Sequence, residues 1–162
     1  MKTFNNKIGF SLIELLIVVS ITLLLAAVAA PIYGNWQSAS YLNERTAEIV
    51  QTVRTARVRS VARVNDKSHG VFFDIDLNGP DRFILYQGPA YLGRGIEDTD
   101  FDRTVILEGS LYLSTTLAGN DINFSRGLGG PNLTGLTGDI TFTNALGKSK
   151  VITINLLGMV SD

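Results

Sequence analysis

A run of apolar residues from Leu12 to Ile32, with one carboxylate inside it, constrains this chain more than any other feature of its sequence. From Leu16 to Ala30 only Ser20 and Thr22 are polar. As a helix, Phe10 to Ala30 would measure about 31 Å at ~1.5 Å per residue, which matches a bilayer hydrocarbon core of roughly 30 Å. The segment is long enough to span. Ahead of it, residues 1–9 are polar and carry only Lys2 and Lys7 as charges.

Three readings fit a basic start followed by an apolar helix. One is a secretory signal peptide, cut near the small residues Ala27, Ala29 and Ala30. Another is a signal anchor. The third is a leader removed on the cytoplasmic side, ahead of the apolar run. Glu14 separates them, because an acidic side chain at mid-membrane costs about 2.5–3.5 kcal/mol, and somewhat less near the interface. A disposable signal has no use for that cost. Glu14 needs a cation, yet no Lys, Arg or His occurs between Ile8 and Glu44. A cut after Gly9 would create an α-amine at Phe10, four residues away, on this chain or on a neighbour. Side-by-side packing of such helices would set each carboxylate against an adjacent terminus, so the sequence implies assembly.

Composition excludes more than it identifies. With no cysteine there are no disulfides or thiolate metal sites, and one histidine, His69, cannot make a multi-histidine centre. The charge balance is near neutral, 14 basic against 15 acidic residues, so no global field selects nucleic acid. Removing Lys2 and Lys7 would leave 12 against 15, a slightly acidic chain.

The segment Gly9-Phe10-Ser11-Leu12-Ile13-Glu14-Leu15-Leu16-Ile17-Val18-Val19 resembles the class III signal of type IV pilins and of type II secretion pseudopilins. The resemblance implies cleavage between Gly9 and Phe10 by a prepilin peptidase, N-methylation of Phe10, and contact of Glu14 with a neighbouring subunit's N-terminus during assembly. It also implies single-pass residence in the inner (cytoplasmic) membrane, with the C-terminal domain on the periplasmic or extracellular side, and a pilus or pseudopilus as the final location. Pro31 and Gly34 fall where pilin helices often bend.

From Ser38 to about Val64 no Gly or Pro interrupts the chain. Ala39, Leu42, Thr46, Ile49, Val53, Ala56 and Ser60 recur at steps of three and four, a narrow helical stripe of mostly small residues. Arginines near the end of this helix suit its dipole. Arg57, Arg59 and Arg63 also raise a DNA-phosphate contact, although Arg59 lies about 160° around the helix from Arg57 and no stacking aromatic accompanies them.

Beyond Asn65 the period becomes two. Residues 71–77 and 82–86 read as a β-hairpin around Asn78-Gly79-Pro80-Asp81. Further strands are expected at 104–107, 110–113, 121–124, 139–143 and 150–156, with glycine-rich connections at 91–102 and 125–138. The expected fold is α+β: a long N-terminal helix, transmembrane then stem, packed on an antiparallel β-sandwich or sheet. The expected divisions are a leader (1–9), a transmembrane helix (10–30), a stem helix (31–65) and a β-rich domain (66–162). The pattern Ile122-Asn123-Phe124-Ser125-Arg126-Gly127, Gly138-Asp139-Ile140-Thr141-Phe142, Lys150-Val151-Ile152-Thr153-Ile154 and a closing Gly158-Met159-Val160 resembles H-type minor pseudopilins and FimT-like minor pilins. Some FimT-like proteins bind DNA through arginines beside that closing glycine. Here Met159, Val160, Ser161 and Asp162 follow it, without an arginine.

Two acidic stretches invite a metal. Asp74, Asp76 and Asn78 with Gly79 have the opening spacing of a calcium loop, but the twelfth position is Leu85 where a bidentate Glu is needed, and a hairpin turn explains the same residues. Glu97, Asp98, Asp100 and Asp102, flanked by Arg94 and Arg103, read as a solvated loop. No nucleophile elbow, phosphate loop or zinc spacing appears, so neither an enzyme nor a cofactor is expected. The expected partners are other pilin or pseudopilin subunits, the prepilin peptidase and the membrane, with DNA as the alternative.

Overall fold

The computed structural model describes residues 10–76 and 79–161, and the side chains of all of these except 30–32. Helix α1 runs over Leu12–Val61, and the helical assignment passes through Pro31 and Gly34. By contact the chain divides at Gln37 and Ser38 into two units.

The Ser38–Asp162 unit holds the core. Its helical part buries Leu42, Thr46, Ile49, Val50, Val53, Ala56 and Ser60, the expected stripe from Leu42 onward joined by Val50, while Ala39 is only half-buried. The two polar members are satisfied. Thr46 donates its hydroxyl to the Leu42 carbonyl, and Ser60 Oγ accepts the His69 amide at 2.8 Å. The helix stops because Arg63, Asn65 and Asp66 all take left-handed backbone angles, the geometry that closes helices when glycine is absent. A 3-10 turn at Val64–Asp66 leads into the sheets.

Eight strands follow: β1 His69–Asp74, β2 Arg82–Gln87, β3 Arg103–Ile106, β4 Leu111–Thr115, β5 Asp121–Phe124, β6 Thr137–Asn144, β7 Ser149–Asn155 and β8 Val160–Ser161. They form two antiparallel four-stranded sheets, ordered β3-β2-β1-β5 and β4-β6-β7-β8. Strict alternation sends Ile140 and Phe142 of β6, Ile152 and Ile154 of β7, and Leu111 and Leu113 of β4 into the core, where Val71, Phe73, Phe83, Leu85, Ile122 and Phe124 meet them. One core therefore joins the helical stripe to both sheets, the α+β arrangement expected from the sequence.

Strand β2 departs from alternation, since Phe83 through Gln87 are all buried. Its outer face is covered by the 88–102 connection, which contains a 3-10 helix at Ile96–Phe101. Tyr86 lies over Gly70, its register partner on β1. A Cβ on Gly70 would come within 2.5 Å of the Tyr86 hydroxyl and of the Ile122 carbonyl, so only glycine fits there.

The expected solvated acidic loop is corrected in part: Glu97 and Asp100 are exposed, whereas Asp98 and Asp102 are drawn in. Asp98 is only 2% exposed; its carboxylate accepts Gln87 Nε2 at 2.8 Å and Lys67 Nζ at 3.3 Å. Arg94 makes a two-pronged pair with Asp102 and stacks its guanidinium on the rings of Tyr91 and Tyr86. Asp98, Arg94 and Asp102, three of the charges that suggested a wet loop, are the groups that pin it to β2. Strand β8 is the other departure, two residues paired to Thr153 and Ile154 across a turn at Gly158.

Candidate assembly helix and arginine groove

The helix start is built from two adjacent facts of sequence. Ser11 precedes the first helical residue and Glu14 stands three later, the spacing of a capping box. Ser11 Oγ accepts the Glu14 amide at 3.3 Å, and the Ser11 carbonyl accepts the Leu15 amide at 3.2 Å. A carboxylate in the first turn also meets the positive end of the helix dipole. Phe10 stands just outside, 81% exposed. Gly9 lies outside the described residues.

Past Glu14 the surface of this unit is aliphatic and exposed, from Leu15 through Val19 to Leu23, Leu24, Leu25 and Val28. Its hydroxyls turn back on the helix: Ser20 donates to the Leu16 carbonyl at 2.8 Å and Thr22 to the Val18 and Val19 carbonyls. That satisfies them without water. Among the described residues, α1 is the one helix long and apolar enough to cross a membrane. Glu14 is the only ionisable side chain between Ile8 and Tyr33.

A second feature lies at the far end of α1. Arg54, Arg57 and Val58 line an open groove of about 380 Å³ with Gly158, Met159 and Val160. Arg57 Nε donates to the Gly129 carbonyl at 3.4 Å, and the same guanidinium lies close against Gly158. Arg63 packs against Gly127. Arg59 points elsewhere, lining a hollow with Glu48, Thr55, Leu85 and Arg103. Of the three arginines singled out in the sequence, Arg57 and Arg63 therefore face the 127–129 loop, while Arg59 does not. Arg54 was missed: in sequence it is one more charge on a polar helix face, and only the fold brings it beside Gly158.

Of the calcium candidates, Asp74 is engaged by an arginine. Arg82 Nε donates to the Asp74 carboxylate at 2.6 Å, and Asn78 lies outside the described residues. The loop is organised instead by Asp81, whose buried carboxylate accepts the amides of Asp76 at 3.0 Å and Leu113 at 2.7 Å. Among the described residues no group of three acidic or imidazole side chains is placed to hold a metal.

Burial and the nearby Arg59 hold the His69 imidazole below its ordinary value. The Gln87 hydrogen bond, with help from Lys67, holds the Asp98 carboxyl low against the opposing effect of desolvation. Burial pushes the Tyr86 hydroxyl up, aided by Asp121, which accepts its proton at 2.6 Å.

Residues 4–30 match the prokaryotic N-terminal methylation motif. No curated protein and no solved structure matches the chain. The motif supports a pilin- or pseudopilin-type subunit with a methylated N-terminus and an apolar membrane-spanning helix.

Proposed function

We propose that this chain is a minor pilin or minor pseudopilin, a structural subunit of a type II secretion pseudopilus or a type IV pilus. Its leader is removed between Gly9 and Phe10, and Phe10 is N-methylated. The subunit waits in the inner membrane on its single helix, with the Ser38–Asp162 unit on the periplasmic or extracellular side. It enters the fibre when Glu14 meets the N-terminal amine of a neighbour. One observation carries this reading: in a helix whose aliphatic surface is exposed and whose hydroxyls are satisfied internally, Glu14 has no side-chain partner among the described residues. The neutralising amine would be the one freed by a cut after Gly9, within the residues 4–30 that match the methylation motif. Mass spectrometry of the purified mature protein tests it. N-methyl-Phe at position 10 is expected; an intact Met1, or a start at Ala30, would defeat the reading.

A second reading, a DNA-receptor minor pilin, draws support from the groove. Residues 159–162 include no arginine, but Arg57 lies against Gly158 from α1 and Arg54 lines the same groove. Backbone phosphates would be the ligand, so binding must weaken steeply with salt. A gel shift of residues 38–162 at low and at physiological salt tests it. A shift at low salt, lost in Arg54→Ala/Arg57→Ala, favours the receptor; no shift at low salt rejects it.

A further inference from the structure

Two aromatic rings end the aliphatic surface of the N-terminal unit. Tyr33 and Trp36 stand three residues apart on one helix face, their ring centroids 6.3 Å apart and the planes tilted by 40°. They are 64% and 66% exposed. From Phe10 the helix rises about 34 Å to Tyr33 and about 39 Å to Trp36. A bilayer has a hydrocarbon core of roughly 30 Å, and measures about 40–45 Å with its headgroups. With Phe10 about 3 Å below the inner edge of the core, both rings fall in the outer headgroup layer, Tyr33 about 31 Å and Trp36 about 36 Å above that edge. Tyr and Trp suit that layer because the ring body is apolar while the hydroxyl or indole N–H reaches water. No charged side chain is there to anchor the helix instead, since none occurs between Glu14 and Glu44.

We propose that Tyr33 and Trp36 are the outer lipid-headgroup anchor of this helix and that they fix the depth of Glu14. Measured back from the rings, Glu14 lies about 28 Å below Tyr33 and about 33 Å below Trp36. That puts the carboxylate at the inner boundary of the hydrocarbon core rather than at its centre. There it keeps contact with headgroups and water while the subunit waits, about 6 Å above its own Phe10 terminus. The proposal rests on the membrane-spanning part of the proposed function and not on fibre assembly.

Trp36 is the only tryptophan in the chain, which makes the full-length protein its own probe. The protein is reconstituted in phosphatidylcholine vesicles carrying bromine either high or low on the acyl chain. Bromines near the headgroup should quench Trp36 at least about twofold more than bromines near the bilayer centre, with emission shifted to the blue of the denatured chain. Ile21→Trp in a Trp36→Phe background should reverse that order, and Leu15→Trp with Trp36→Tyr should report a shallow position. Stronger quenching of Trp36 by the deep bromines would overturn the proposal. So would quenching by aqueous acrylamide alone, a deep position for Leu15→Trp, or protection from all three quenchers that grows with protein density and marks a second copy over the rings. N-methyl-Phe analysis and fibre incorporation are read separately, so either idea can fail without the other.

Discussion

The Glu14 amide donates to the Ser11 hydroxyl at 3.3 Å, so the residue that bears the membrane-embedded charge is also the third residue of a capped helix. Its backbone and its side chain serve different ends. The backbone is capped within the chain, and among the described residues no side chain pairs with the carboxylate.

Glu14→Ala should therefore separate assembly from folding. Incorporation into fibres, measured in the sheared fraction, should fall by at least about tenfold, equivalent to ~1.4 kcal/mol of lost subunit contact. The unfolding midpoint of the Ser38–Asp162 unit should not move. Undiminished incorporation would refute the role given to Glu14. Ser11→Ala should have a smaller effect, fraying the first turn by about 1 kcal/mol.

The 88–102 connection should be more stable than its composition suggests. Arg94 is 6% exposed in its side chain, paired with Asp102 and stacked on two tyrosines. Asp102→Ala leaves that guanidinium enclosed without its counter-ion, and should cost about 2–3 kcal/mol. In a domain of this size that is a fall on the order of 5–10 °C in the thermal midpoint. A change below about 1 °C would mean the loop is not held by this pair.

Gly70→Ala tests the contact that aligns β1 with β2. The added methyl would meet the Tyr86 hydroxyl and the Ile122 carbonyl at 2.5 Å, and backbone cannot retreat as a flexible side chain can. A loss of about 2–3 kcal/mol is expected in chemical denaturation. Tyr86→Phe in the same background should recover only a small part of it, since it removes one of three clashing atoms and leaves the ring Cζ at 2.6 Å.

His69 predicts a pH dependence with a definite sign. Burial and Arg59 lower its native value, so between the unfolded value of about 6.5 and the depressed native one the unfolded chain binds more protons. Stability is then complete above that window and is lost as the pH falls through it. His69→Gln should flatten the slope of stability against pH below ~6.5, whatever it does to stability at neutral pH. An unchanged slope would show that the imidazole does not carry the effect.

The fold was largely readable because each element obeys its own period. The spacing of Leu42, Ile49, Val53 and Ala56 marks the buried face of the helix, and the alternation through Ile140, Phe142, Ile152 and Ile154 marks both central strands of the second sheet. Strand β8 was not readable, since two residues have no period. The loop carrying Asp98 and Arg94 misled for a different reason. Charged residues are ordinarily solvated, and only partners distant in sequence, Gln87, Lys67 and Tyr86, show that these are enclosed. The grouping of Arg54 with Gly158 depends in the same way on tertiary structure. The Ser11 cap is the opposite case, because its three-residue spacing from Glu14 is a local signal, overshadowed by the apolar run that follows.

Ser38 is held at the start of the folded unit by Asn144, whose amide donates to the serine hydroxyl at 3.3 Å while its carbonyl oxygen gathers the amides of Leu146 and Lys148. From that point to Ser60 the buried stripe lies along the helix axis against both sheets. A tug on the helix along its length would load those contacts in shear, many together rather than in succession. Rupture would then require the whole seam to slip at once, in a chain with no cysteine to supply a covalent cross-link.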